Sequence, residues 1–441
     1  MMPDTVAADA QVDIAAEWRI PEMHRRRTAR LFQTADHPER IGRRVRTVAG
    51  FAFQEVLTGS GDKLAFASSR SRIMPADFMQ SDFALLFKRD CPLLDVRSPV
   101  EFARGAFPAS TNIPLLTDAQ RTEVGTMYRR SGGEAATRLG HKLVSGDSRS
   151  ALIERWRNFI EHNPEARLYC FRGGQRSHVV QQWLQEAGVE IPLVPGGYKA
   201  LRGFLLHVLE EAARLDFLVI AGKTGCGKTH LVTELPCALD IEGAAGHRGS
   251  AFGALPDPQP SQIDFENAMA VALLKLEFES LPVLIAEDES RAVGSLAIPH
   301  VLFDRMKQAP LALIEESLEV RVETILHDYI LANLAAWEEY SPGRGAAILE
   351  QSLLESLERI RRRLGDGGFR KTGALMRQAF TVERQESLAL HRRWISLLLE
   401  NYYDPMYEYQ LARKLPRVRC RGRREEIARW CRTYMSSSAT A

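Results

Sequence analysis

The sequence predicts an α/β protein: a parallel-sheet domain over residues 82–203, a second α/β domain over 204–310 and a helical C-terminal region over 311–441. Three observations predict it. Short apolar segments of strand length run into loops and then into helix-forming stretches, the alternation that builds parallel sheets. The pattern restarts with a new apolar segment at 217–221, after a helical connector at 204–215. Beyond residue 310 the apolar residues recur at helical spacing, as in 347–354.

Taken in order, residues 92–96 read as a strand ending near Asp95, and Ser98-Pro99 opens a helix with Ser as cap and Pro at the first position. Residues 167–169 form a strand that runs into Cys170 and a Gly-rich turn, followed by a helix through 177–184. A strand at 191–194 leads to the turn Pro195-Gly196-Gly197-Tyr198. In the second domain, strands are expected at 217–221 and 281–286. Residues 1–75 are rich in arginine and lack apolar periodicity, so they read as a disordered or mis-assigned N-terminal extension. Met74 and Met79 stand just before the first patterned segment, 82–87.

A chain of 441 residues is too long for one core, and its 45% hydrophobic and 26% charged residues suit a soluble globular protein. No apolar run reaches the ~20 residues that cross a bilayer, and the polar start does not resemble a secretory signal. Six cysteines without a C-x-x-C pair favour a reducing compartment. The expectation is a soluble cytoplasmic protein with no membrane partner. A net charge of +2 excludes a global field for nucleic acid, but cations cluster at 24–27, 43–46 and 413–424.

Two constellations carry chemistry. In the first, Cys170-Phe171-Arg172-Gly173-Gly174-Gln175-Arg176-Ser177 lies between a strand and a helix. Inward amides and a helix dipole favour the thiolate of Cys170, and Arg176 or Arg172 can hold an oxyanion. In the second, Gly222-Lys223-Thr224-Gly225-Cys226-Gly227-Lys228-Thr229 is a complete phosphate-binding P-loop after an apolar strand. Gly222, Gly225, Gly227 and Lys228 cradle a β/γ-phosphate or a diphosphate, and Thr229 can ligate Mg²⁺. Glu287 and Asp288, at a strand end, are candidates for metal or water contacts. A third set, Asp240, His247, Arg248, Ser250 and Arg291, suggests a pocket near the P-loop. Tyr402 and Tyr403 precede the cationic run that holds Arg417, Arg419, Arg421 and Arg423; rings that stack bases beside cations that neutralise phosphate suit RNA.

The C-x5-R-S frame occurs in rhodanese-like sulfurtransferases and in cell-cycle-type dual-specificity phosphatases. The segments Asp95-Val96-Arg97-Ser98-Pro99-Val100-Glu101-Phe102, Gly105-Ala106 through Asn112-Ile113-Pro114, and Gly196-Gly197-Tyr198 resemble rhodanese signatures, while the loop length leans toward the phosphatases. With Glu123-Val124-Gly125-Thr126-Met127-Tyr128, His247-Arg248-Gly249-Ser250-Ala251-Phe252-Gly253, Glu287-Asp288-Glu289-Ser290-Arg291 and Tyr402-Tyr403-Asp404-Pro405-Met406-Tyr407 added, the chain from about 82 to 432 resembles the bacterial tRNA 2-selenouridine synthases.

That resemblance implies a rhodanese-like domain fused to a P-loop domain. It also implies exchange of sulfur for selenium in wobble 2-thiouridine, with selenophosphate as donor and S-geranylation from geranyl diphosphate as an intermediate or side activity. Its partners are tRNA bearing 2-thiouridine and the enzyme that makes selenophosphate; no tightly bound cofactor is expected. The alternatives are a rhodanese-fold phosphatase, a P-loop nucleotide-dependent kinase, and a non-enzymic selenium carrier or tRNA scaffold.

Overall fold

The structure, a computed structural model, describes residues 76–438. The N-terminal extension, with its basic clusters at 24–27 and 43–46 and with Met74, lies outside the described residues. The first sheet has three parallel strands, β1 (Leu93–Asp95), β2 (Ser110–Asn112) and β3 (Arg167–Tyr169), in the order β2-β1-β3. The expected strand at 191–194 pairs with β3 through only two hydrogen bonds, Leu168 N–H to the Pro192 carbonyl and Val194 N–H to the Leu168 carbonyl. Pro192 has no N–H with which to extend that ladder.

The second sheet is also parallel and has five strands in the order β10-β9-β4-β6-β5. They are β4 (Phe217–Gly222), β5 (Ala238–Leu239), β6 (Leu284–Glu287), β9 (Leu311–Ile314) and β10 (Val418–Gly422); a small antiparallel hairpin, β7 (Ala292–Val293) with β8 (Leu296–Ala297), stands apart. β4 is buried along its whole length, as a central parallel strand covered on both faces must be.

This sheet corrects the expected boundary at residue 310. β9 and β10 complete the sheet of the P-loop, and the helices between them, from Leu318–Ile325 to Asp404–Ala412, form an insertion that leaves the sheet and returns to it. The run of arginines hid β10, because an edge strand can carry charge on its open face. Arg419 and Arg421 are exposed there while Val418, Cys420 and Gly422 are partly covered.

The helix Gly197–Ala212 ties the two sheets together. Its Leu201, Leu205 and Leu209 are almost wholly buried in a core that holds Tyr169 and Phe107 of the first half and Phe217, Val219 and Phe265 of the second. The helical insertion has its own core around Leu353, Leu357 and Trp394, and Phe252 reaches into it from the P-loop side. No helix among the described residues is long and apolar enough to cross a membrane.

Candidate active site

In parallel sheets, ligands bind beyond the carboxyl ends of the strands, and both chemistry-bearing loops sit there. At the end of β1, Asp95 and Arg97 form a buried clasp. Asp95 accepts from the Arg97 backbone N–H at 2.8 Å and from its Nε at 2.7 Å, and Arg97 donates to the Gly105 carbonyl at 2.9 Å. The Arg97 guanidinium lies 3.9 Å from the centre of the Tyr198 ring. Ser98 then caps the helix Pro99–Ala103, and its backbone N–H donates to the Glu101 carboxylate at 3.1 Å.

At the end of β3, the loop from Cys170 wraps against the Gly196-Gly197 turn. Tyr198 N–H donates to the Cys170 carbonyl at 2.9 Å and Lys199 N–H to the Phe171 carbonyl at 3.0 Å. Gly197 is required there: a Cβ would overlap the Cys170 carbonyl oxygen, and its φ is +59°. The Cys170 Sγ lies 3.3 Å from Ser177 Oγ, at the N-terminal turn of the helix Gln175–Glu186. It opens on a cavity of about 740 Å³ whose lining includes Arg97, Glu101, Arg172, Arg176 and Tyr198, and also Ile263 from the P-loop half.

Arg176, expected to hold an oxyanion, is committed to Glu101 at 2.6 and 3.2 Å, with Arg121 on the same carboxylate at 3.0 Å. Burial works against ionisation of Glu101, but the Arg176 hydrogen bond and charge outweigh it and hold the carboxyl down to about 2. Arg172 remains exposed at the mouth, its guanidinium beside the Phe171 ring.

At the end of β4, Gly222, Gly225 and Gly227 shape the P-loop. Gly225 has φ +82°, and a Cβ there would collide with the Arg321 carbonyl. Lys228 Nζ donates to the Gly222 carbonyl at 3.1 Å. Burial opposes its charge, but Cys226, Glu289 and Glu242 around it raise its pKa above the ordinary lysine value. Cys226 is buried and packs behind Gly222, a passive place for a thiol.

Thr229 Oγ1 lies 2.9 Å from Glu242 and 2.8 Å from Glu287. Glu242, Glu287 and Glu289 bring their carboxylate oxygens within 4.8 Å of one another. Burial first, and then the mutual repulsion with Glu242, push Glu287 well above the usual carboxylate range and Glu289 up to about 8. Glu287 Oε1 is buried with no hydrogen-bond partner. A hydroxyl and three converging carboxylates, one of them with an orphaned oxygen, fit a hard divalent cation.

Sequence reasoning named Asp240 and Asp288 but missed Glu242 and Glu289. Asp240 caps the helix Ile241–Ala245 by accepting from Gly243 N–H, and Asp288 is bound by Lys414 at 2.7 Å. In each case the acid that reaches the P-loop lies one or two residues further along, a distinction that depends on side-chain direction.

Two arginines were also missed. Arg321, buried, donates to the Thr224 carbonyl at 3.0 Å and grips Asp404 at 2.9 and 2.6 Å, so the insertion is fastened to the P-loop. Arg424 stands against Gly227 and within 3.4 Å of His230, which pairs with Asp328 at 3.0 Å.

Of the third set, His247 is half-buried, its Nδ1 unpartnered, and its pKa is lowered by burial and by Arg359. Arg248 donates to Asn333 at 2.7 Å, Ser250 accepts from Phe252 N–H, and Arg291 is exposed at the start of the hairpin. Tyr403 is buried in the core of the insertion with its ring edge-on to Tyr402, so it cannot present a stacking face to a base. Arg417 is spent on the carbonyls of Met306 and Ala309, whereas Arg419, Arg421 and Arg423 have exposed side chains.

This pairing of loops agrees with the comparisons with known proteins. A model of the tRNA 2-selenouridine synthase AAA domain matches residues 215–438, and a rhodanese-like domain model matches residues 80–203. The chain is 46% identical to a tRNA 2-selenouridine synthase of Cupriavidus pinatubonensis, across 80% of this chain and 97% of that protein. It is 45% identical to one of Marinobacter nauticus, across 81% and 98%. Identity of this extent spans the thiol loop, the P-loop and the insertion that fastens onto it, and on that ground the chain belongs to the tRNA 2-selenouridine synthase family, enzymes of tRNA modification.

Proposed function

We propose that this enzyme replaces the sulfur of wobble 2-thiouridine by selenium from selenophosphate, and that it also transfers a geranyl group from geranyl diphosphate to that sulfur. The observation that carries this reading is the presence in one chain of an arginine-lined thiol cavity and a separate P-loop whose Lys228 lies against Gly222. In geranyl transfer the thiocarbonyl sulfur attacks the first carbon of the donor, the carbon–oxygen bond breaks, and diphosphate leaves into the P-loop amides and Lys228. A divalent cation held by Thr229, Glu242, Glu287 and Glu289 would supply further charge neutralisation there.

Selenium then adds at C2 of the ring as selenide, released when water takes the phosphoryl group of selenophosphate, and geranylthiolate departs. Alkylation turns a poor leaving group into a good one. Cys170, at the floor of the cavity, is assigned to the selenium step, and Arg172 to the anionic donor at the mouth. Arg419, Arg421 and Arg423 are assigned to the tRNA backbone. The enzyme works in the cytoplasm beside the enzyme that makes selenophosphate. Phosphate hydrolysis is served less well, because Arg176 faces Glu101.

The test is mass spectrometry of tRNA nucleosides after incubation with each donor. Cys170→Ala should abolish 2-selenouridine while tRNA binding and most geranylation persist. Wild-type selenation by that variant would overturn the role given to Cys170.

A further inference from the structure

The mouth of the Cys170 cavity carries groups that holding selenophosphate does not need. Tyr128, on the helix Asp118–Leu143, lines the cavity yet is 60% exposed, and Phe171 beside Cys170 is 37% exposed. Phe171 is stacked on Tyr198 at 5.9 Å between ring centres, which fixes its plane. Two large rings left open to water at one rim are poorly placed for stability and well placed to receive another flat ring.

The charge at this rim is one-sided. Glu101 is already neutralised by Arg176 and Arg121, and Arg97 by Asp95. Arg104 and Arg172, also in the lining, are exposed and have no carboxylate partner among the described residues. Open aromatic faces among uncompensated guanidinium groups are the combination that binds single-stranded nucleic acid. The cavity has the volume to admit a nucleobase turned out of its stack.

We infer that this rim is the surface on which the RNA presents its target base: the base stacks on Tyr128, with Phe171 as the second wall, and Arg104 holds a flanking phosphate. This rests on the synthase reading. It moves base recognition away from the Tyr402 and Tyr403 pair, of which Tyr403 is buried. Phosphate contacts fix the register of the strand, and the stacked ring delivers C2 of the base toward Cys170.

The experiment uses the full chain and an anticodon stem-loop RNA with 2-aminopurine at the wobble position, whose fluorescence reports stacking. Tyr128→Ala should weaken binding roughly tenfold, the scale of one lost base–aromatic stack, and remove the fluorescence change. Tyr128→Phe should keep both. Arg104→Gln should flatten the dependence of log affinity on log salt by about 0.7, the scale of one lost phosphate contact. Melting curves unchanged from wild type would show that these effects are not losses of folding. Wild-type affinity and fluorescence in Tyr128→Ala, with selenation of tRNA by the wild-type enzyme intact, would overturn this surface alone. Failure of the wild type to bind either the stem-loop or tRNA would overturn the synthase reading and this surface with it.

Discussion

At the Cys170 cavity the carboxylate of Glu101 is clamped between two guanidinium groups and stays ionised down to about pH 2, whereas at the P-loop Glu289 keeps its proton up to about pH 8. Both loops follow the carboxyl end of a parallel strand and both run into a helix. The difference lies in what the surrounding elements add. Around Cys170 the helices supply arginines in excess, leaving a mouth ready for anions. Around Lys228 the ends of β5 and β6 supply carboxylates in excess, leaving a nest that needs a cation or protons to be stable. The shared strand–loop–helix plan sets where a ligand sits, while the charge of the neighbours sets which ligand it is.

The largest effect is expected at Lys228, the cation that the carboxylates surround. Lys228→Ala should slow geranyl transfer by roughly 10²-fold, because the departing diphosphate loses a charged partner. Initial rates over a range of geranyl diphosphate concentrations check it. Unaltered geranyl transfer together with loss of an ATP hydrolysis activity would move the P-loop to nucleotide chemistry.

A smaller effect should appear in stability. Glu289 has its pKa raised by burial and by Glu242, so its contribution to stability is full below about 4.5 and is lost as pH rises through about 8. A divalent cation should act in the opposite sense, because it binds the ionised carboxylates. The shift in Tm on adding Mg²⁺ should therefore grow between pH 6 and 9, reaching on the order of a few degrees. In Glu289→Gln it should shrink. A shift that is the same at every pH, in wild type and variant alike, would remove the cation from this nest.

The mildest effect belongs to the other site. The pKa of Glu101 is lowered, so the stability it contributes is present above about 4.5 and is lost as pH falls toward about 2. The integrated loss is at most roughly 3 kcal/mol. Glu101→Gln should flatten the acid limb of denaturant midpoints measured between pH 5 and 2. An acid limb as steep as that of the wild type would mean that the clamp on Glu101 does not survive in solution.

Both loops were legible from the sequence because each is a local object. Cys170 through Ser177 and Gly222 through Thr229 carry their own glycines, their own strand before and helix after, and nothing distant is needed to recognise them. The Asp95–Arg97 clasp and the Gly196-Gly197 turn are equally local, and their spacing was readable for the same reason.

What the tertiary structure alone decided is which side chains face those loops. That Glu242 and Glu289 point at Thr229, while Asp240 caps a helix and Asp288 meets Lys414, follows from side-chain direction across three elements distant in sequence. That the arginine run continues the P-loop sheet as β10 follows from pairing with β9, about a hundred residues earlier. Arg176 turning to Glu101, Arg321 fastening the insertion to Thr224 and Asp404, and Tyr403 sinking into the core are contacts between segments that only folding brings together. A loop's backbone shape is set by its own few residues, but its electrostatic surroundings are set by whatever the chain packs against it.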